Sequence, residues 1–206
     1  MLAYHNDAKL RKSVINEMAM HRKADELVQG YGYWKDGKGC AVGCLIKGDD
    51  HSLYETKFGI PEMLARLEDC IFEGLPKLKA QKWPERFLSA IKTGQDLSTV
   101  GWEFQYRLQI NNLKFAKAQK FPDDVIRAIE LVIDVLEPVT KGKKVADSAA
   151  RSAASAARSA ASAASADSAA ASAAWSAESA AASAASAASA AYEEMADLLI
   201  EIIEQH

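Results

Sequence analysis

The chain has 206 residues, 49% of them apolar, and a formal net charge of −3 from 25 basic and 28 acidic side chains. That is enough apolar material for one domain with a core of ordinary size. The charge is split, with two arginines against eight acids from Val145 onward and a small positive excess before it; this is too dilute for the concentrated basic stripe of a nucleic-acid binder.

The first predicted element is a helix over 6–29. Asn6 or Asp7 caps it, Leu10, Val14, Met18, His21, Leu27 and Val28 lie broadly on one side, and Gly30 ends it. A glycine-dense stretch follows, GYGYWKDGKGCAVGC. Prolines and polar residues then punctuate four more helices. Pro61 opens PEMLARLEDCIFE, which Gly74 stops, and Pro84 opens PERFLSAIK, which ends near Gly94. Asp96 or Ser98 opens a helix through about Gln119. Pro122 opens the amphipathic PDDVIRAIELVIDVLE, which is expected to stop before Pro138. The lysines at 77, 79 and 82 and at 114, 117 and 120 read as solvated helix faces.

From Ala146 to Ala191, 27 of 46 residues are alanine and 13 are serine, with no glycine or proline. Alanine is the strongest helix former and serine costs only about 0.5 kcal/mol relative to it, so the tract is expected to be helical. Its serines recur in steps of three and four from Ser148 to Ser189, which is a stripe on a helix. Three successive steps of three, Ser159 to Ser168, swing that stripe by about half a turn. ADSAA occurs at 146–150 and again at 166–170, so Asp147 and Asp167 are both candidate N-caps. Either one helix runs from about 146 to 205, roughly 90 Å long, or the chain turns near 164–167 into a helical hairpin, the favoured form. Trp175 and Tyr192 are expected to fill gaps. The end, YEEMADLLIEIIEQ, is an ordinary amphipathic helix.

No segment shows strand alternation, so the fold class is all-α. The expected organisation is a multi-helix domain over 1–144, carrying a glycine-rich loop at 30–52, packed with an Ala/Ser-rich helix or hairpin over 145–206.

Dense reactive chemistry is confined to Gly30–His51. Cys40 and Cys44, one helical turn apart, together with Asp49 or Asp50 and His51, are candidate metal ligands, although a second complete ligand pair is missing. Cys40 is also a candidate nucleophile with His51 as its base, but no residue is placed by spacing to orient that histidine. The glycines at 37, 39 and 43 lack both the preceding strand and the lysine of a phosphate loop. Against these stands the reading of CAVGCLI as a short buried helix whose cysteines are small core residues. Cys70 is expected in the core, and His5, His21 and His206 without partners. No cofactor is expected.

Three cysteines make no disulfide framework, and the amino terminus lacks the apolar stretch of a signal peptide. No window is apolar enough to span a membrane. A reduced, cytoplasmic protein is the expectation.

The Ser-Ala-Ala tract broken by single Arg, Trp or Glu residues resembles tracts in small bacterial and phage-encoded proteins, some of them labelled immunity proteins. GKGCAVGC, DDHSLYE, GIPEMLARLEDCIFEGLP and WPERFLSAI are similar to the front half of such proteins. The resemblance implies a prophage or mobile-element context and supplies no catalytic residues. The expected function is therefore non-enzymatic binding of another, unidentified protein, in the manner of an immunity factor. No nucleic acid or membrane partner is expected, and the Ala/Ser helix offers a route to homo-oligomers. The alternative is an enzyme or metal protein centred on Cys40, Cys44 and His51. An ice-binding helix fits poorly, because the repeat uses serine rather than threonine and its phase breaks.

Overall fold

A computed structural model describes residues 1–143 and 177–206. Its described residues are mostly helical: α1 Ala8–Lys23, α2 Ala41–Ile46, α3 Leu53–Phe58, α4 Glu62–Gly74, α5 Lys77–Ala80, α6 Trp83–Ala90, α7 Val100–Ala118, α8 Asp123–Thr140 and α9 Ala177–Gln205. The all-α expectation holds. Asp147, Asp167, Trp175, the serine stripe before Ala177 and the choice between one helix and a hairpin lie outside the described residues. No described helix is long and apolar enough to cross a membrane.

The chain divides into two compact units, Met1–Gly101 with Ala187–His206, and Trp102–Ser186. In the first, the N-terminal segment is pinned at both ends of its reach. Ala3 N–H donates to the Gln95 carbonyl at 2.9 Å, and the Tyr4 hydroxyl donates to the Leu88 carbonyl at 2.6 Å. Asp7 then caps α1, its carboxylate accepting from Lys9 N–H at 2.7 Å. α1 packs on α2 and α6, and α4 packs on α2, α3, α5 and α6. The aromatic centre of this core is Trp83, Phe87, Phe72, Tyr54 and Tyr4, all essentially inaccessible. α9 closes onto it through Leu199, Ile202 and Ile203. Polar ties reinforce that closure: Lys79 to Glu193 at 2.6 Å, Arg86 to Asp197 at 2.8 Å, and the Gln95 amide donating to the Ile203 carbonyl. Tyr192 fills a gap as expected. Its ring lies so close over Gly74 that a Cβ there would sit 2.2 Å from it.

In the second unit, α7 and α8 are joined across Lys120, whose φ is +54°, and held by a 2.8 Å Lys117–Glu130 ion pair. Val125 and Ala128 form a small buried cluster with Ile129 packed against it.

Three expectations need correction. α1 ends at Lys23, not Gly30, because Asp25 turns left-handed (φ +57°) and the chain leaves the helix as an extended segment in which Leu27 bridges Gly39. α8 runs through Pro138 to Thr140. Proline in the last turn forfeits one helical hydrogen bond without breaking the backbone path. A small antiparallel hairpin is present, β1 Trp34–Lys35 and β2 Lys38–Gly39, turned by Asp36 and Gly37 with φ of +50° and +79°. That Asp-Gly pair is a strong hairpin signal, and strands of two residues leave no room for alternation to show.

Candidate functional site

The hairpin sets the geometry of the reactive segment. Cys40 N–H donates back to the carbonyls of Gly32 and Tyr33, so the chain folds over itself immediately before α2. Gly39 and Gly43 are required there: a Cβ on either would lie 1.9 or 1.5 Å from the Tyr33 carbonyl oxygen. α2 starts beneath this crossing with Cys40 as its cap, the sulfur accepting from Gly43 N–H at 3.4 Å. All six residues of α2 are buried. The short buried helix anticipated from CAVGCLI is therefore what forms.

The turn at Gln29 and Gly30 is clamped to the end of α4. Gln29 donates its amide to the carbonyls of Phe72 (2.7 Å) and Leu75 (2.9 Å), and Gly30 N–H donates to the Glu73 carboxylate at 2.8 Å. Between clamp and crossing lies a pocket of about 250 Å³ lined by Gly30, Gly32, Tyr33, Cys40, Asp69 and Glu73. Tyr33 is 40% exposed and lines it, and Tyr31, two residues earlier, is 42% exposed.

Cys40 and His51 do meet a common group, but in an order that does not make a nucleophile. Asp69, on α4, lines the pocket beside Cys40 on one side and faces His51 Nε2 at 3.6 Å on the other. His51 is buried, its Nδ1 donating to the Asp49 carbonyl at 2.9 Å, with the Tyr33 ring edge-on against it. A carboxylate thus sits between thiol and imidazole, and no hydrogen bond joins Cys40 to His51. Burial first, and Asp69 second, push the Cys40 thiol well above the ordinary range. Burial pushes Cys44 up to about 12, against a partial pull from Lys47. The Cys44 S–H is directed to the Gly39 and Glu26 carbonyls at 3.7 and 3.8 Å. Both thiols are held neutral by their surroundings, whereas a reactive cysteine needs a stabilised thiolate.

The candidate ligands are not brought together. Asp50 accepts from the backbone N–H and hydroxyl of Ser52, ahead of α3, while Cys44 points to the Glu26 side of α2. Among the described residues no three His, Cys, Asp or Glu side chains are placed to hold a metal ion.

Other side chains depart from expectation or were not singled out by the sequence. Cys70 is exposed, not in the core. Glu68 is wholly buried. The buried stripe of α4 is Leu64, Leu67, Glu68, Ile71 and Phe72, spaced by three and four, and Cys70 falls on the opposite side. His21 has partners: its Nδ1 lies 2.5 Å from Glu26, its Nε2 2.7 Å from Lys47 Nζ, and its ring meets Trp34 edge-on. Lys47 also lies over the Trp34 ring at 4.0 Å, so the cluster ties α1, the hairpin and the end of α2 together. His5 Nε2 lies 3.1 Å from the Thr56 carbonyl. Asp69, which faces His51 at 3.6 Å, was not legible from spacing, since it stands 18 residues further on.

No protein-family model matches the chain, and neither does any curated protein or solved structure.

Proposed function

We propose that the protein acts by binding another protein, without catalysing a reaction, in the manner of an immunity factor carried by a phage or prophage. The observation that carries this reading is the pair of exposed tyrosines, Tyr31 and Tyr33, the second lining a pocket with Asp69 and Glu73. Two large aromatic side chains are partly exposed, Tyr33 with its ring edge-on against His51, on backbone that Gln29, Glu73, Gly39 and Gly43 hold in place. Aromatic anchors on a rigid frame are the residues that dominate protein interfaces. Neutral, inward-bonded thiols beneath them support a structural role for Cys40 and Cys44. The phage setting and the immunity role rest on the sequence resemblance alone.

The test is co-purification of a stoichiometric partner with the full chain from its host, compared across variants. Tyr31→Ala and Tyr33→Ala should weaken that association by about 2 kcal/mol or more, while a folded Cys40→Ser chain should retain it. An immunity role adds that expression protects cells from the partner's toxicity. Retention by the tyrosine variants together with loss in folded Cys40→Ser overturns the proposal.

A second reading, an enzyme centred on Cys40 and His51, is favoured by one observation, the convergence of both on Asp69. It requires a rearrangement that brings imidazole to thiol. Fast alkylation of Cys40 at neutral pH, slowed by His51→Ala, would establish it.

A further inference from the structure

Glu68 is fully buried on α4, and its carboxylate oxygens have no well-directed hydrogen bond; the Tyr54 hydroxyl is turned toward it but is itself without a formed partner. A carboxyl in such a place is costly when charged. The groups facing it from each packed element offer no cation. α3 contributes Tyr54, α2 contributes Cys44, the N-terminal turn contributes Tyr4, and α4 itself adds the negative Asp69. From α6 comes only the Trp83 indole, donating to the Glu68 backbone carbonyl at 2.9 Å, since Glu85 and Arg86 are paired elsewhere with Arg22 and Asp197. α5 turns Lys77 and Lys79 to solvent and contributes Ala80. Arg11 is engaged by the Ile91 and Ser89 carbonyls, and Lys47 by the Cys44 carbonyl and His21.

We propose that Glu68 is a proton-operated latch: protonated, it lets α2, α3 and α4 close dry around it, and ionised, it draws water between them and loosens the seats of Tyr54 and Cys44. Burial, reinforced by Asp69 and opposed by Tyr54, pushes its carboxyl up to about 8 from an ordinary 4.5. Below the ordinary value both folded and unfolded chains carry the proton, and the latch is fully stabilising. Above it the unfolded chain releases the proton while the folded chain keeps it, so stability falls with rising pH. Through about 8 the folded chain ionises as well and the latch opens. α2 seats the Tyr33 backbone through Gly43, so the opening reaches the rim of the pocket. The latch goes beyond the binding function, and its test uses no partner, so the two fail separately.

The experiment is urea unfolding of the full chain from about pH 5 to about pH 9, wild type against Glu68→Gln. The ratio of their unfolding constants should change about tenfold per pH unit up to the folded-state titration and then level off. Hydrogen exchange across Leu53–Phe58 and Leu67–Phe72, corrected for intrinsic rates, should lose protection above that titration in wild type only. Carbon-13 NMR of glutamate-labelled chain reads the Glu68 titration directly, whether or not the glutamine variant folds. Tyr54→Phe, which removes the one neighbour that favours the charge, should move it upward. A Glu68 titration in the ordinary carboxylate range, equal pH dependence in wild type and Glu68→Gln, or no movement with Tyr54→Phe overturns the latch.

Discussion

α2 is six residues long, has glycine at its third position and shows no amphipathic repeat, yet every residue in it is buried. α8 is eighteen residues long and carries apolar side chains at 125, 126, 129, 132, 133 and 136, but only Val125 and Ala128 are buried among its residues. The pattern on α8 specifies a helix with one apolar side, and nothing in such a pattern says how completely that side is covered. The burial of α2 is set from outside, by the chain crossing at Tyr33, by α1 and by α4. Pattern writes the element, and the neighbours decide its depth.

The largest effect should come from Gly43→Ala. The added methyl would fall 1.5 Å from the Tyr33 carbonyl oxygen, which is backbone and cannot swing aside as a side chain would. The crossing must open and the contacts above α2 must move. A loss of about 3 kcal/mol or more is expected in urea unfolding, at the upper end of overpacking costs. A loss below about 1 kcal/mol would mean that the crossing is loose and that α2 is not seated from outside.

Next comes Gly74→Ala, where the methyl meets the Tyr192 ring at 2.2 Å. The obstacle here is a side chain near the start of the packed end of α9, so it can yield. A loss of about 1–3 kcal/mol is expected, and Tyr192→Ala in the same chain should remove most of the added penalty. Full additivity of the two changes would show that the ring does not rest on this glycine.

Cys44→Ser tests the depth of α2 chemically. It replaces a buried thiol by a hydroxyl with only two distant carbonyls to bond, at 3.7 and 3.8 Å. A cost of about 1–3 kcal/mol follows from burying a poorly bonded polar group. Alkylation supplies an independent reading: with Cys44 pushed up to about 12, only about one part in ten thousand is thiolate at pH 8. Exposed Cys70 should react first, and Cys40 and Cys44 should follow only on unfolding. Rapid labelling of either α2 cysteine in the native chain would contradict the picture of a sealed helix.

The same contrast explains what the amino-acid sequence discloses. Pro61, Pro84 and Pro122 mark helix starts because proline acts locally, and the reading of CAVGCLI as buried succeeded because six apolar or small residues in a row suit a covered position. The end of α1 was hidden, since it depends on one left-handed residue, Asp25, and on a bridge to Gly39 that lies far along the chain. Counting from Leu64 to Ile71 puts Glu68 on the buried stripe, whereas the chemistry of a carboxylate argues for solvent. Cys70 was misplaced for the converse reason. Asp69 could not be paired with His51 before α4 was packed against the segment, because the meeting is tertiary.

The smallest effect should be that of Leu131→Ala on α8. Leu131 is 36% exposed and stands one turn on from Ala128, at the edge of the small cluster of Val125, Ala128 and Ile129. Removing its side chain forfeits a modest buried area, and alanine is a better helix former than leucine by a small margin. The two contributions oppose each other, so a net loss under about 1 kcal/mol is expected, below the 2–5 kcal/mol of a leucine truncated in a core. A loss in the core range would place Leu131 against a firm partner. α8 would then be as deeply seated as α2, and the difference between a helix specified by its own pattern and one specified by its neighbours would disappear.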